Sequence, residues 1–236
     1  MEHKVILKLE RVTKIYEMGE VKVEALKETS LDVYAGEILV ILGPSGSGKS
    51  TLLNIMGGMD LPTSGNVFFE NQDISSGSET VLTHYRRNDA GFVFQFYNLI
   101  TDLTARENIE LAANLVAKPL PIDEVLKEMA MYERKEHFPS QMSGGEQQRI
   151  SIARAVVKNP RIMFCDEPTG ALDYQTGKLI LELLKKINKE RGCTIVLITH
   201  NAAIGGMGDR VARMRSGEIV EITENASPLS PDKIEW

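Results

Sequence analysis

Four short stretches of this chain are almost wholly apolar, and each ends on a residue that is not: "GEILVILG" (36–43), "GFVFQ" (91–95), "RIMFCDE" (161–167) and "CTIVLITH" (193–200). Apolar runs of that length without polar alternation are the pattern of strands buried on both faces, as in a parallel sheet. Between them the period changes. A helix is expected from Lys49, carrying Leu52, Leu53 and Met56, and another over 176–191, with Leu179, Ile180, Leu183, Leu184 and Ile187 along one face. Residues 5–33 alternate polar and apolar, as antiparallel strands do, "GNVFFE" (65–70) adds a strand, and "RVARMRSGEIVEI" (210–222) closes as a hairpin about Ser216-Gly217. Residues 96–157 are mostly helical in pattern, through "TARENIELAANLVAK", "IDEVLKEMAM" and a helix after Gly145, punctuated by Pro119 and Pro121. Strand alternating with helix predicts an α/β fold with a mostly parallel sheet, an N-terminal antiparallel β-layer and an inserted helical subdomain.

The ends of the apolar runs carry the chemistry. "GPSGSGKST" (43–51) follows one predicted strand and opens a predicted helix, the context that a phosphate-binding P-loop requires. Gly43, Pro44, Ser45, Gly46, Ser47 and Gly48 form the loop whose N–H groups converge on phosphate oxygens. Lys49 reaches the β- and γ-phosphates, Ser50 offers a hydroxyl to Mg²⁺, and Thr51 completes the motif. A Gly/Ser-rich turn is the bland alternative, which the strand–loop–helix context disfavours. "RIMFCDE" delivers Asp166 and Glu167 to a strand's carboxyl end, where ligands sit in such sheets. Asp166 suits Mg²⁺, through water, and Glu167 suits the general base that activates a water. Gln95 and His200 are each compatible with an ordinary polar strand end. Taken together they bring an amide for Mg²⁺ and the attacking water, and an imidazole for the γ-phosphate, to the same sheet edge. Tyr16 suits adenine stacking and equally a half-buried place in the β-layer. "QMSGGEQQR" (141–149) is a second phosphate-binding pattern, a serine and two glycines opening into a helix, with no lysine beside it.

At 236 residues the chain is long enough for one large domain, or one with an inserted lobe. A formal net charge of −6 disfavours a nucleic-acid partner held by overall charge. Cys165 and Cys193 lie in apolar stretches without metal-like spacing and are expected as buried thiols. The N-terminus lacks a signal-like apolar core and no run approaches the ~20 apolar residues of a membrane span. A soluble chain that meets a membrane only through a partner is expected.

The set "GPSGSGKST", Gln95, "SGGEQQR", "IMFCDEPTG", "ALD" and His200, in this order and spacing, resembles the nucleotide-binding subunit of ABC transporters from about residue 5 to 221. P-loop kinases, G proteins and RecA-like motors lack the "SGGE" element. "FYNLITDLTARENIELA" and "CDEPTGALDYQTGK" look most like the MacB/LolD/FtsE branch, whose ATPases serve separate permeases with large extracytoplasmic domains. The resemblance implies a P-loop NTPase core over 1–95 and 158–222, a helical signature subdomain over 96–157 and a tail from 223. It implies Tyr16 as the adenine-stacking residue, Gln95 as the Q-loop, and Ser143, Gly144, Gly145 and Glu146 as the signature. Asp173 becomes the D-loop aspartate and His200 the switch histidine. Met142 stands for the commoner leucine, Glu146 for the commoner glutamine, and Gly170 takes the serine-like place before "ALD".

The family architecture also accounts for the second phosphate device. Two ATPase chains sandwich two ATP molecules head to tail, so the P-loop of one faces the signature of the other. The resemblance therefore implies ATP and Mg²⁺ as ligands, ATP hydrolysis, and a second ATPase subunit, as a homodimer. It also implies an integral membrane permease and a peripheral place on the cytoplasmic face of the membrane. "ERKEHFPSQ" (133–141) is either the permease contact or an exposed charged loop. A soluble ABC ATPase without a permease, of the iron–sulfur assembly type, is the alternative. A chromosome or DNA-repair ATPase is disfavoured, because 94 positions between Lys49 and Ser143 leave no room for a long coiled coil.

Overall fold

The alternating N-terminal segment becomes a long antiparallel hairpin, β1 (Val5–Met18) and β2 (Val21–Tyr34), in the computed structural model, which describes residues 4–235. β4 (Ser64–Phe69) pairs with β1, and β5 (Gln72–Asp73) with β4, giving a four-stranded layer ordered β2-β1-β4-β5. The apolar runs build the second sheet: β3 (Ile38–Leu42), β6 (Ala90–Val93), β7 (Ile162–Asp166) and β8 (Thr194–Thr199), joined by β9 (Arg210–Arg215) and β10 (Glu218–Glu224). Its order is β10-β9-β3-β8-β7-β6, parallel from β6 to β9 and antiparallel only at the β9–β10 hairpin.

The buried strands divide their side chains by period two. Ile38, Val40, Met163, Cys165, Ile195 and Leu197 face one core, shared with α3 (Ala105–Ala113), α4 (Ile122–Glu128), α5 (Gly144–Val156) and α6 (Tyr174–Arg191). Leu39, Ile41, Ile162, Phe164, Val196 and Ile198 face the other, with Leu52, Leu53 and Met56 of α1 (Lys49–Met56) and the inner residues of the β-layer. Burial on both faces is why the middles of these strands are apolar, and parallel pairing sets the ends of β3, β7 and β8 along one edge of the sheet.

Four local expectations change. β6 ends at Val93, so Gln95 lies two residues past the strand. Val93 faces Cys165, and shortly beyond, β7 leaves the extended conformation at Glu167 (φ 45°), so Phe94 and Gln95 have no ladder to join. His200 likewise follows β8 instead of closing it. α2 (Glu79–Asn88) was not expected, because only Leu82 and Tyr85 of that polar helix are buried. On α6 Leu179 is exposed and Leu181 takes a buried place instead.

Candidate functional site

The P-loop turns from β3 into α1 around a cleft of about 770 Å³ lined mainly by polar groups. Ser45, Gly46, Gly48, Lys49, Ser50, Thr51, Gln95, Asp166 and Glu167 all face it. Gly48 is left-handed (φ 97°), and a Cβ there would lie 2.5 Å from the Ala25 carbonyl oxygen, so the loop needs both its conformation and its lack of a side chain. Lys49 is almost buried, and its Nζ donates to the Gly43 and Pro44 carbonyls at 2.8 and 3.0 Å. The buried Ser47 hydroxyl has no hydrogen-bond partner. A nearly buried ammonium with only carbonyl partners and an orphaned hydroxyl make a cradle that fits an anion. That cost is offset when phosphate oxygens arrive.

Asp166 sits across the cleft beside the Ser50 hydroxyl. Burial and then the neighbouring Glu167 charge hold its carboxyl above the ordinary range, against opposing effects of Ser50 and Lys49. A nearby cation would relieve both penalties. The Ser50 hydroxyl, the Asp166 carboxylate and the Gln95 amide are hard oxygen donors of the kind that Mg²⁺ takes together with phosphate oxygens. Glu167, in its left-handed conformation, aims its carboxylate at Thr199, the last residue of β8, and at His200, the residue after it. Its Oε1 lies 2.8 Å from His200 Nδ1, and its Oε2 accepts from Thr199 Oγ at 3.0 Å. Its left-handed backbone and these two partners fix the direction of the carboxylate.

The signature lies elsewhere. Ser143 is the N-cap of α5, and none of 143–146 lines the P-loop cleft. Glu146 completes a capping box: its Oε2 accepts the Ser143 N–H at 2.8 Å and the Ser143 hydroxyl at 2.9 Å. Gly145 is pressed against α6, where a Cβ would stand 2.3 Å from Thr176 Cγ2. Asp173 caps α6 through the Thr176 N–H and hydroxyl, at 3.0 and 2.6 Å, so the N-termini of α5 and α6 meet. The buried Gln148 amide donates to Pro168 O at 2.9 Å and ties α5 to the segment after Glu167.

Tyr16 is half-buried and is not among the residues lining the cleft. Its hydroxyl donates to Asp60 Oδ2 at 2.7 Å, and Lys14 Nζ lies 4.8 Å from its ring centroid. Val23, Glu24, Ala25, Ser216 and Gly217 line the cleft without having been anticipated. The tip of the β9–β10 hairpin reaches it because Gly217 N–H donates to Ser47 O at 3.0 Å while Gly217 O accepts from Lys27 N–H at 2.9 Å. The only prior hint was the Ser-Gly turn itself.

The family model for ABC transporters matches residues 26–170. The ABC transporter ATP-binding protein MJ0796 of Methanocaldococcus jannaschii is 46% identical over 223 residues, spanning 91% of this chain and 95% of that one. The macrolide export ATP-binding/permease protein MacB of Escherichia coli K12 is 40% identical over 220 residues, 91% of this chain but 34% of that longer protein. Among solved structures, the dimeric post-hydrolysis state of MJ0796 bound to ADP and Pi superposes with a TM-score of 0.85 at 43% identity, covering 92% of this chain and 98% of that one. Among the described residues no helix is long and apolar enough to cross a membrane. The chain belongs to the ABC transporter family, as one of its ATP-binding, ATP-hydrolysing subunits.

Proposed function

We propose that two copies of this chain close head to tail on two Mg²⁺-ATP, and that closing and reopening drives a separate membrane permease with a large extracytoplasmic domain. The chain would sit peripherally on the cytoplasmic face. The observation that carries the shared site is the separation of its halves: the cleft holds Lys49, Gln95, Asp166 and Glu167 but nothing of 143–146. The dimeric structure of MJ0796 and the permease part of the ATP-binding/permease protein MacB support the two partners. Residues 96–157 form the helical subdomain in this reading. The exposed aromatics Phe96, beside Gln95, and Phe138, within 133–141, support these two segments as permease contacts.

Each residue then has a task. Lys49 exchanges its two carbonyl partners for β- and γ-phosphate oxygens, and the Ser47 hydroxyl gains a partner. Ser50, Asp166 and Gln95 hold Mg²⁺, which supplies charge neutralisation on the phosphate oxygens. Glu167 accepts the proton of the attacking water, with His200 and Thr199 fixing its carboxylate and His200 facing the γ-phosphate. Tyr16 packs on the adenine. Ser143 and the Gly144 and Gly145 amides, at the positive end of α5, cap the γ-phosphate of the opposite chain, and Asp173 lies at the same junction. Breaking the terminal phosphoanhydride removes the group that both chains hold, and the dimer opens.

Glu167→Gln tests this reading. The amide keeps the shape but cannot take the proton, so turnover should fall about 10²–10⁴-fold. ATP should still bind, and Mg-ATP should move the variant to a dimer in size-exclusion chromatography. Near-normal turnover would place the base elsewhere.

A further inference from the structure

A capping box works with glutamate or glutamine at its last position, so holding Ser143 does not require the charge of Glu146. That charge stands at the N-terminus of a helix proposed to receive a phosphate. The Ser143 N–H, the Ser143 hydroxyl and the Arg134 and Arg149 guanidiniums, against some burial, keep the Glu146 carboxyl below its usual range, so it is an anion there. An anion 2.9 Å from the Ser143 hydroxyl competes for the donors a phosphate would use and repels it.

Arg134 answers that charge. Its Nε lies 3.2 Å from Glu146 Oε1, the oxygen not engaged by Ser143. One guanidinium nitrogen also lies 3.1 Å from His137 Nε2. Arg134 belongs to the 3₁₀ turn Tyr132–Arg134, and the segment is fixed to the start of α3: Ala105 N–H donates to His137 O at 2.8 Å and Arg106 N–H to Lys135 O at 2.9 Å. Arg149 lies one turn further along α5, its buried Nε without a hydrogen-bond partner.

We propose that Arg134 is a positioning residue of the shared ATP site: it neutralises Glu146 through the oxygen that Ser143 leaves free, so the α5 N-terminus can accept the terminal phosphate held by the opposite chain. This rests on the head-to-tail reading above. It makes Arg134 necessary because residue 146 is a glutamate, and dispensable if residue 146 is neutral. It also gives the segment 133–141 a direct electrostatic line to the signature.

The test is a double-substitution cycle in the Glu167→Gln chain, reading the Mg-ATP concentration for half-maximal dimer by analytical ultracentrifugation. Arg134→Ala should raise that concentration about fivefold or more. The same change beside Glu146→Gln should shift it less than about twofold, and Arg134→Lys should recover most of the loss. ATP affinity of the separate chain, read with a fluorescent analogue, should not move in any variant, and thermal melts identify any that fail to fold. Equal losses with glutamate and with glutamine at 146 would make Arg134 a structural prop and overturn the proposal. A Glu167→Gln chain that forms no dimer with Mg-ATP would instead refute the head-to-tail reading, and the role of Arg134 with it.

Discussion

Two glycines of the P-loop differ in one respect that can be measured. Gly46 (φ 76°) and Gly48 (φ 97°) are both left-handed, but a Cβ on Gly46 meets nothing within 4 Å, whereas one on Gly48 would lie 2.5 Å from Ala25 O and 3.1 Å from Leu26 Cδ2. Alanine at either position carries the backbone penalty of a side chain in the left-handed region, about 1–2 kcal/mol. At Gly48 it also overlaps the Ala25 carbonyl of β2. Relieving such an overlap adds about 1–3 kcal/mol. Gly46→Ala should therefore lose about 1–2 kcal/mol, and Gly48→Ala about 2–5 kcal/mol, in urea unfolding. The overlap is relieved by moving the loop off β2, which also moves Lys49 and Ser50. Displacements near 1 Å cost on the order of 10²-fold where alignment matters, so Gly48→Ala should lose ATP turnover far more than Gly46→Ala. Equal stability and equal turnover for the two variants would show that the β2 contact does not shape the loop.

Tyr16→Phe separates the Asp60 hydrogen bond from the ring. If the ring stacks on adenine, Phe should keep the Michaelis constant for ATP and Tyr16→Ala should raise it with little change in saturated turnover, and an unaltered constant in Tyr16→Ala would assign the ring to the β-layer. Burial pushes the Cys193 thiol up to about 12 and raises that of Cys165 as well, so neither should react with a disulfide reagent at pH 8 until urea unfolds the chain, and rapid labelling of the native chain would contradict their burial.

What the sequence made legible is what short-range pattern can encode. The strands β3, β7 and β8 are apolar through their middles because helices and the β-layer cover both faces, and that burial can be read without knowing the neighbours. The residues after them stand at one sheet edge because the strands pair in parallel. α2 was missed because two buried residues in a polar helix leave no period to detect. The cleft contacts of Ala25 and Gly217 were illegible in principle. They join positions 47, 25–27 and 217, brought together only by sheet order, and neither carries a distinctive side chain. The Arg134–Glu146 pair is similar: the capping box is local and readable, but its cation comes from a 3₁₀ turn whose place depends on α3.

The central claim is that each ATP site is built from two chains, and mixing two defective chains tests it most directly. Lys49→Ala breaks the P-loop half of a site, and Ser143→Arg blocks the signature half with a bulky side chain. In a shared-site dimer of one of each, both lesions fall in one site, and the other pairs an intact Lys49 with an intact Ser143. Both variants also carry Glu167→Gln, so that bound ATP is not hydrolysed; they are co-expressed with different tags, the mixed dimer is isolated through both, and trapped ATP is counted. The account predicts one tightly held ATP per verified mixed dimer, where neither variant alone holds any. A verified mixed dimer that traps no ATP would mean that the signature serves its own chain's nucleotide, and would contradict the account.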